Sequence, residues 1–143
     1  MFIQQLSVFL ENREGRLEEV TETVSNIGVN IVSFSLADTS EYGMLRMIVS
    51  DPVKAKAALK EAGFSAMLTD VIAIKLPSKV GMLHELLKTL SNEDINLEYM
   101  YTLATGENAS IVLKVSDTKK GIHALQACGF AFFDKEAAYA INQ

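Results

Sequence analysis

The chain has 143 residues, a formal net charge of −5 and a single cysteine, with 49% of its residues apolar and 22% charged. That balance excludes a disordered chain, the negative sum argues against nucleic acid and anionic membrane as partners, and no apolar run is long enough to cross a bilayer. Cys128 has no partner for an internal disulfide, which fits a reducing cytosol. The start, Met1-Phe2-Ile3-Gln4-Gln5, carries no cationic leader and soon becomes strand-like, so a cytoplasmic protein without a signal peptide is expected.

In chain order, Leu6, Val8 and Leu10 alternate with polar or open-face residues and predict a strand with one apolar face. The stretch Asn12-Arg13-Glu14-Gly15-Arg16-Leu17 then turns the chain into a helix striped by Leu17, Val20, Val24 and Ile27 and ended by Gly28. A glycine at such a turn lets the backbone bend and a ligand approach, and the unpaired amides of the new helix favour a carboxylate. Asn30 opens a second strand over 31–37. The polar tip Asp38-Thr39-Ser40-Glu41 leads into a third over 43–49. Asp51-Pro52 reads as the cap and first position of a second helix that ends at Gly63, and 64–68 is a short fourth strand. The order is βαββαβ, the split or ferredoxin-like unit, with an antiparallel sheet and both helices on one face.

The remainder repeats it. At a constant shift of 66 residues, Gly15 meets Gly81, Leu17 meets Leu83, Asn30 meets Asn96, Val49-Ser50-Asp51 meets Val115-Ser116-Asp117, and Gly63-Phe64 meets Gly129-Phe130. About 18 of roughly 59 aligned positions are identical without a gap, a register that chance does not hold. Strands are therefore expected at 71–76, 96–103, 109–115 and 130–133. Helices are expected from Leu83 to Leu90 and from Asp117 to Cys128, with the tail after 134 ambiguous. The fold class is α+β: two ferredoxin-like βαββαβ units with antiparallel sheets, paired side by side, as domains over 1–69 and 70–143. Only Thr69-Asp70 lies between the units, too short a linker for free swinging.

Asn12 ends the first strand and Asn30 opens the second, so one unit alone places them at opposite ends of its sheet. An asparagine amide both donates and accepts and can hold the ammonium and carboxylate of an amino acid. Taken by themselves, a turn residue and a helix-to-strand connector are the simpler assignments.

Leu10-Glu11-Asn12-Arg13-Glu14-Gly15-Arg16-Leu17, followed by Ile27-Gly28-Val29-Asn30-Ile31, resembles the ACT domain, a family of small regulatory modules with the same βαββαβ order. Within that family the likeness is to the amino-acid-binding regulatory domain of 3-phosphoglycerate dehydrogenase. The resemblance covers both repeats. It implies a free amino acid bound between paired ACT units, contacted by the first strand-to-helix turn and by the asparagine beginning strand two. Carried over, these contacts are Asn12, Gly15, Arg16, Leu17 and Asn30, and Ser78, Gly81, Met82, Leu83 and Asn96. Two departures stand out. The family often has proline before the turn glycine, where this chain has Glu14 and Val80, so the turn is less pre-set. Ser78 replaces the first asparagine in the second copy, so unequal sites are expected.

Nothing else in the pattern speaks for chemistry. Glu18, Glu19, Glu22 and Glu85 read as solvated helix faces, His84 and His123 fall on different helices, and Cys128 aligns with Ala62 as a small packing residue. No Cys-x-x-Cys pair and no glycine-rich phosphate loop is present. Neither a metal nor a cofactor is expected, and the protein is read as a sensor and not as an enzyme. Its output is expected to be a change in assembly or in a partner enzyme of amino acid metabolism. Two rivals remain: an acylphosphatase-like hydrolase using Arg13 and Asn30 on phosphate, and a pairing module that binds nothing. Projection of the strands also places Phe9, Val32, Phe34, Leu36, Met44 and Ile48 on the open face of the first sheet, and an exposed patch of that kind predicts a homodimer through it.

Overall fold

The computed structural model describes residues 2–38, 42–103 and 109–140, and the expected tips at Thr39-Ser40-Glu41 and Ala104 to Asn108 lie outside the described residues. Two compact units are formed, one from Gln4 to Thr69 and one from Asp70 onward that also takes in Phe2 and Ile3.

The first unit runs β1 (Ile3–Glu11), α1 (Arg16–Asn26), β2 (Ile31–Asp38), β3 (Tyr42–Val49), α2 (Pro52–Glu61) and the opening of β4 (Ser65–Leu76). Its strands lie in the order β2-β3-β1-β4, the ferredoxin-like order. The alternation of β1 holds: Leu6, Val8 and Leu10 pack with Leu45, Met47 and Val49 of β3 against Val20 and Val24 of α1 and Ala55 and Leu59 of α2. Fully burying each large side chain of this set contributes about 1.5–3 kcal/mol. The helices thus cover one face of the sheet.

The second unit has the rest of β4, α3 (Met82–Asn92), β5 (Leu97–Thr102), β6 (Ala109–Val115), α4 (Thr118–Ala127), β7 (Ala131–Phe132) and a short α5 (Lys135–Tyr139). Its order, β5-β6-β4-β7, is the same. Its core copies the first position by position: Leu76 for Leu10, Leu86 for Val20, Leu90 for Val24, Ile111 for Leu45, Leu113 for Met47 and Leu125 for Leu59. The repeat read from sequence is a repeat of packing. One boundary differs, because 65–76 form a single strand where two were expected around Thr69-Asp70.

The face assignment of β2 needs correction. Ile31 pairs with Val49, but a bulge then sets Ser33 opposite Ile48, Phe34 opposite Met47 and Leu36 opposite Leu45. Directly opposed residues share a face, so Phe34 and Leu36 lie on the helix side. The same bulge in β5 sets Met100 opposite Leu113 and Tyr101 opposite Val112. An extra residue inverts a period-two pattern, and nothing in the alternation announces it. On the open face, Val32, Ile48, Gln5, Ser7 and Ser33 are buried, while Phe9 and Tyr42 are exposed and stack at 4.9 Å between ring centroids. The six-residue open-face patch from which a dimer through that face was expected is therefore not formed.

Among the described residues, no helix is long and apolar enough to cross a membrane.

Candidate functional site

The helix starts divide into two kinds. α2, α4 and α5 each begin behind an aspartate whose carboxylate accepts a backbone N–H: Asp51 from Lys54 at 3.1 Å, Asp117 from Lys120 at 3.1 Å and Asp134 from Ala137 at 2.8 Å. α1 and α3 begin behind Gly15 and Gly81, both left-handed (φ 83° and 88°), and neither start has a side-chain cap. A Cβ at either glycine would meet nothing within 4 Å, so glycine is needed here for its backbone angle and not for space. The carbonyls of Gly15 and Gly81 accept from Glu19 and Glu85, each at 3.0 Å, while Leu17 and Glu18, with their counterparts Leu83 and His84, donate no backbone hydrogen bond to another described residue. Two positively polarised sets of amides thus face the turns and suit a carboxylate.

Beside the first turn lies a small cavity of about 80 Å³, lined by Asn12, Arg13 and Leu17, by Leu10 and Glu11 at the end of β1, and by Leu36 and Gly43. Leu36 and Gly43 were not legible as site residues. They arrive because Leu10 pairs with Gly43 and because the bulge turns Leu36 to the helix side. Arg13 pairs with Glu11 at 3.2 Å. The guanidinium of Arg16 leaves the turn, donating from Nη1 to Glu19 Oε2 at 2.7 Å and lying over the ring of Phe64 at 4.3 Å, so only the backbone of Arg16 stays at the helix start. In the second unit Ser78, Gly81 and Leu83 are exposed at the corresponding turn, and Met82 packs partly into the core.

The asparagines sit elsewhere. The N–H of Asn30 donates to Ser50 Oγ at 2.8 Å and its carbonyl accepts from the Ser50 N–H at 2.9 Å. Asn96 and Ser116 repeat both bonds at 3.0 and 2.9 Å. The backbone of each asparagine is fixed at the end of the third strand of its unit, and its side chain is exposed. Asn12 follows Glu11, which pairs with Tyr42, whereas Asn30 precedes Ile31, which pairs with Val49. The length of β3 separates them, roughly 20 Å at the rise of a strand. Arg13 and Asn30 are kept apart by the same distance, so the unit does not assemble the phosphate site that the hydrolase reading requires. No group of three His, Cys, Asp or Glu side chains among the described residues is placed to hold a metal.

A sequence-family profile described as "ACT domain pair" matches residues 1–138. Among solved structures, protein BT0572 from Bacteroides thetaiotaomicron is 38% identical, with a TM-score of 0.93 over 99% of this chain and 98% of that one. The regulatory subunit of aspartate kinase from Thermus thermophilus, ligand-free, shares 15% identity at a TM-score of 0.62 over 88% of this chain and 92% of its own. The Thermus flavus subunit shares 17% at 0.58 over 87% and 90%. These two likenesses speak to fold alone. None of the curated proteins compared with the chain matches it. The internal repeat of packing, the paired glycine-led helix starts and the profile spanning both units agree: the chain belongs to the family of ACT domain pairs.

Proposed function

We propose that this ACT pair is a regulatory protein that binds a free α-amino acid at its glycine-led helix starts and performs no catalysis of its own. The observation that carries this reading is the contrast among helix starts: three have an aspartate that accepts a backbone N–H, while the two behind Gly15 and Gly81 have no side-chain cap and leave the amides of Leu17, Glu18, Leu83 and His84 without a backbone acceptor among the described residues. The ligand carboxylate accepts from the amides that follow Gly15, with Asn12 and Leu17 beside it. A charge-assisted bond of this kind contributes about 1.5–3 kcal/mol. Gly81, Met82 and Leu83 repeat the arrangement with Ser78, whose hydroxyl offers one donor where an asparagine amide offers two, so this site binds more weakly. Asn30 and Asn96 take part through a paired ACT unit, since each stands at the far end of its own sheet.

Two solved neighbours are regulatory subunits of aspartate kinase, which supports a partner enzyme of amino acid metabolism as the recipient of the signal. Ligand shifts that partner only by binding one state better than another. A second copy of the chain is a further partner in this reading, favoured by the exposed, stacked pair Phe9 and Tyr42 on the open face of the first sheet. Sedimentation at micromolar concentration tests it, and a monomer would exclude it. A thermal-shift screen against the common amino acids, followed by calorimetry, tests the ligand. A selective shift with unequal sites is expected, and two equal sites per chain would contradict the assigned roles of Asn12 and Ser78.

A further inference from the structure

The amide of Leu17 donates to no backbone acceptor among the described residues, and the same residue lines the cavity of about 80 Å³ beside the first turn. A ligand whose carboxylate is held at that amide therefore has its side chain within reach of the cavity. Leu10, Leu36 and Gly43 complete the apolar part of the wall. Leu17 and Leu36 are 40% and 48% exposed, so an apolar group seated there would cover them. Of the polar lining residues, Glu11 and Arg13 pair with each other at 3.2 Å with exposed side chains, and Asn12 stands at the charged end of the ligand.

Gly43 lies outside the left-handed region that Gly15 occupies, so what it provides is room and not a backbone angle. A Cβ there would stand 3.4 Å from Leu36 Cδ1 and 3.7 Å from the Ala37 carbonyl oxygen, taking up part of the space that Gly43 and Leu36 border. At the shift of 66 residues Leu10 and Leu17 are kept as Leu76 and Leu83, but Gly43 becomes Ala109 and Leu36 becomes Thr102. Thr102 stands opposite Ile111 as Leu36 stands opposite Leu45. By residue type the second wall has less room and more polarity. The cavity of about 80 Å³ has room for roughly three groups of the size of a water molecule, at about 30 Å³ each, and is about half of the roughly 150 Å³ that admits a benzene ring.

We propose that the first unit selects an α-amino acid with a short aliphatic side chain, of the size of valine, seated on Leu10, Leu17 and Leu36 in the room left by Gly43. This rests on the assignment of the carboxylate to the amides after Gly15, and adds to it the class of side chain and the residues that select it. Each further carbon buried there tightens binding roughly three- to fourfold. A hydroxyl gives up water against a leucine wall that offers it no partner, and a phenyl ring exceeds the space.

Calorimetry on the full chain with glycine, alanine, 2-aminobutyrate, serine, valine and phenylalanine tests this, with the Leu17 and Glu18 amide resonances followed in parallel. Valine is expected to bind about tenfold more tightly than alanine, which has two carbons fewer. Serine is expected to bind more weakly than 2-aminobutyrate, in which a methyl replaces the hydroxyl, and phenylalanine more weakly than valine. Gly43→Ala is expected to lower the affinity for valine several-fold more than that for glycine. Leu36→Ala, at a half-exposed position, is expected to raise the affinity for phenylalanine relative to valine, a change that loss of folding cannot produce. If all six ligands move the two amides and bind equally, or if serine or phenylalanine binds most tightly, the carboxylate assignment stands and this proposal is overturned. If none of the six binds or moves the amides, both are overturned.

Discussion

Arg16 and Phe64 are in stacked contact, the guanidinium carbon 4.3 Å from the ring centroid, and the same two positions one repeat later are Met82 and Phe130. The fold has therefore carried both a filled and an unfilled version of one contact. Its contribution can be measured within the molecule. Arg16→Met gives the first unit the composition of the second and is expected to lower stability by about 1 kcal/mol, since a largely desolvated cation–π pair contributes between about 0.5 and 2 kcal/mol. The ion pair with the half-exposed Glu19 adds little to this. Urea denaturation of variant and parent provides the comparison, and identical midpoints would mean that the stack contributes nothing.

The Asn–Ser pairs are expected to be structural as well as repeated. Ser116→Ala removes the acceptor of the Asn96 N–H and should destabilise by about 1 kcal/mol. Ser50→Ala should act likewise through Asn30. Amide hydrogen exchange at Asn30 and Asn96 checks the assignment: each should speed up in the variant of its own serine and not in that of the other.

Asp94 occupies the position of Gly28. Both are left-handed, with φ of 56° and 74°. A side chain in that region costs about 1–2 kcal/mol, less for aspartate than for most residues. Asp94→Gly is expected to raise the stability of the chain by up to about 1 kcal/mol, after allowing for the greater freedom of glycine in the unfolded state. A fall in the melting temperature would contradict that reading.

Gly121 stands where the first unit has Ala55. A Cβ there would lie 3.0 Å from Val115 Cγ2 and 3.3 Å from Ile72 Cδ1. Helix propensity favours alanine by about 1 kcal/mol, but overpacking a close core contact costs about 1–3 kcal/mol. Gly121→Ala is therefore expected to be neutral to destabilising, by up to about 2 kcal/mol in thermal or urea denaturation. A gain in stability would show that the neighbouring side chains move aside freely.

The repeat, the element order and the helix caps were legible because each rests on local chemistry. Asp51-Pro52 and Asp117 cap helices as their residue types require, and the apolar stripes of α1 and α3 are buried at Val20, Val24, Leu86 and Leu90. The faces of β2 and β5 were not legible. A bulge after Ile31 and another after Leu97 add one residue, and every later side chain changes sides. For the same reason Leu36 went unrecognised beside the first turn, while Gly43 arrives there through its cross-strand pairing with Leu10. The turns themselves stood out by their glycines. That Arg16 would stack on Phe64 was hidden, because the contact joins the start of one helix to the end of another and has no sequence period.

The central claim is that an amino acid carboxylate is held by the amides that follow Gly15. Amide NMR spectra of the full chain, recorded while each of the twenty common amino acids is added, test this at the atoms concerned. The account predicts that at least one amino acid shifts the Leu17 and Glu18 amide resonances, with weaker movement at Leu83 and His84. An amino acid that binds and leaves these four amides unmoved would contradict it, and so would a series in which none moves them.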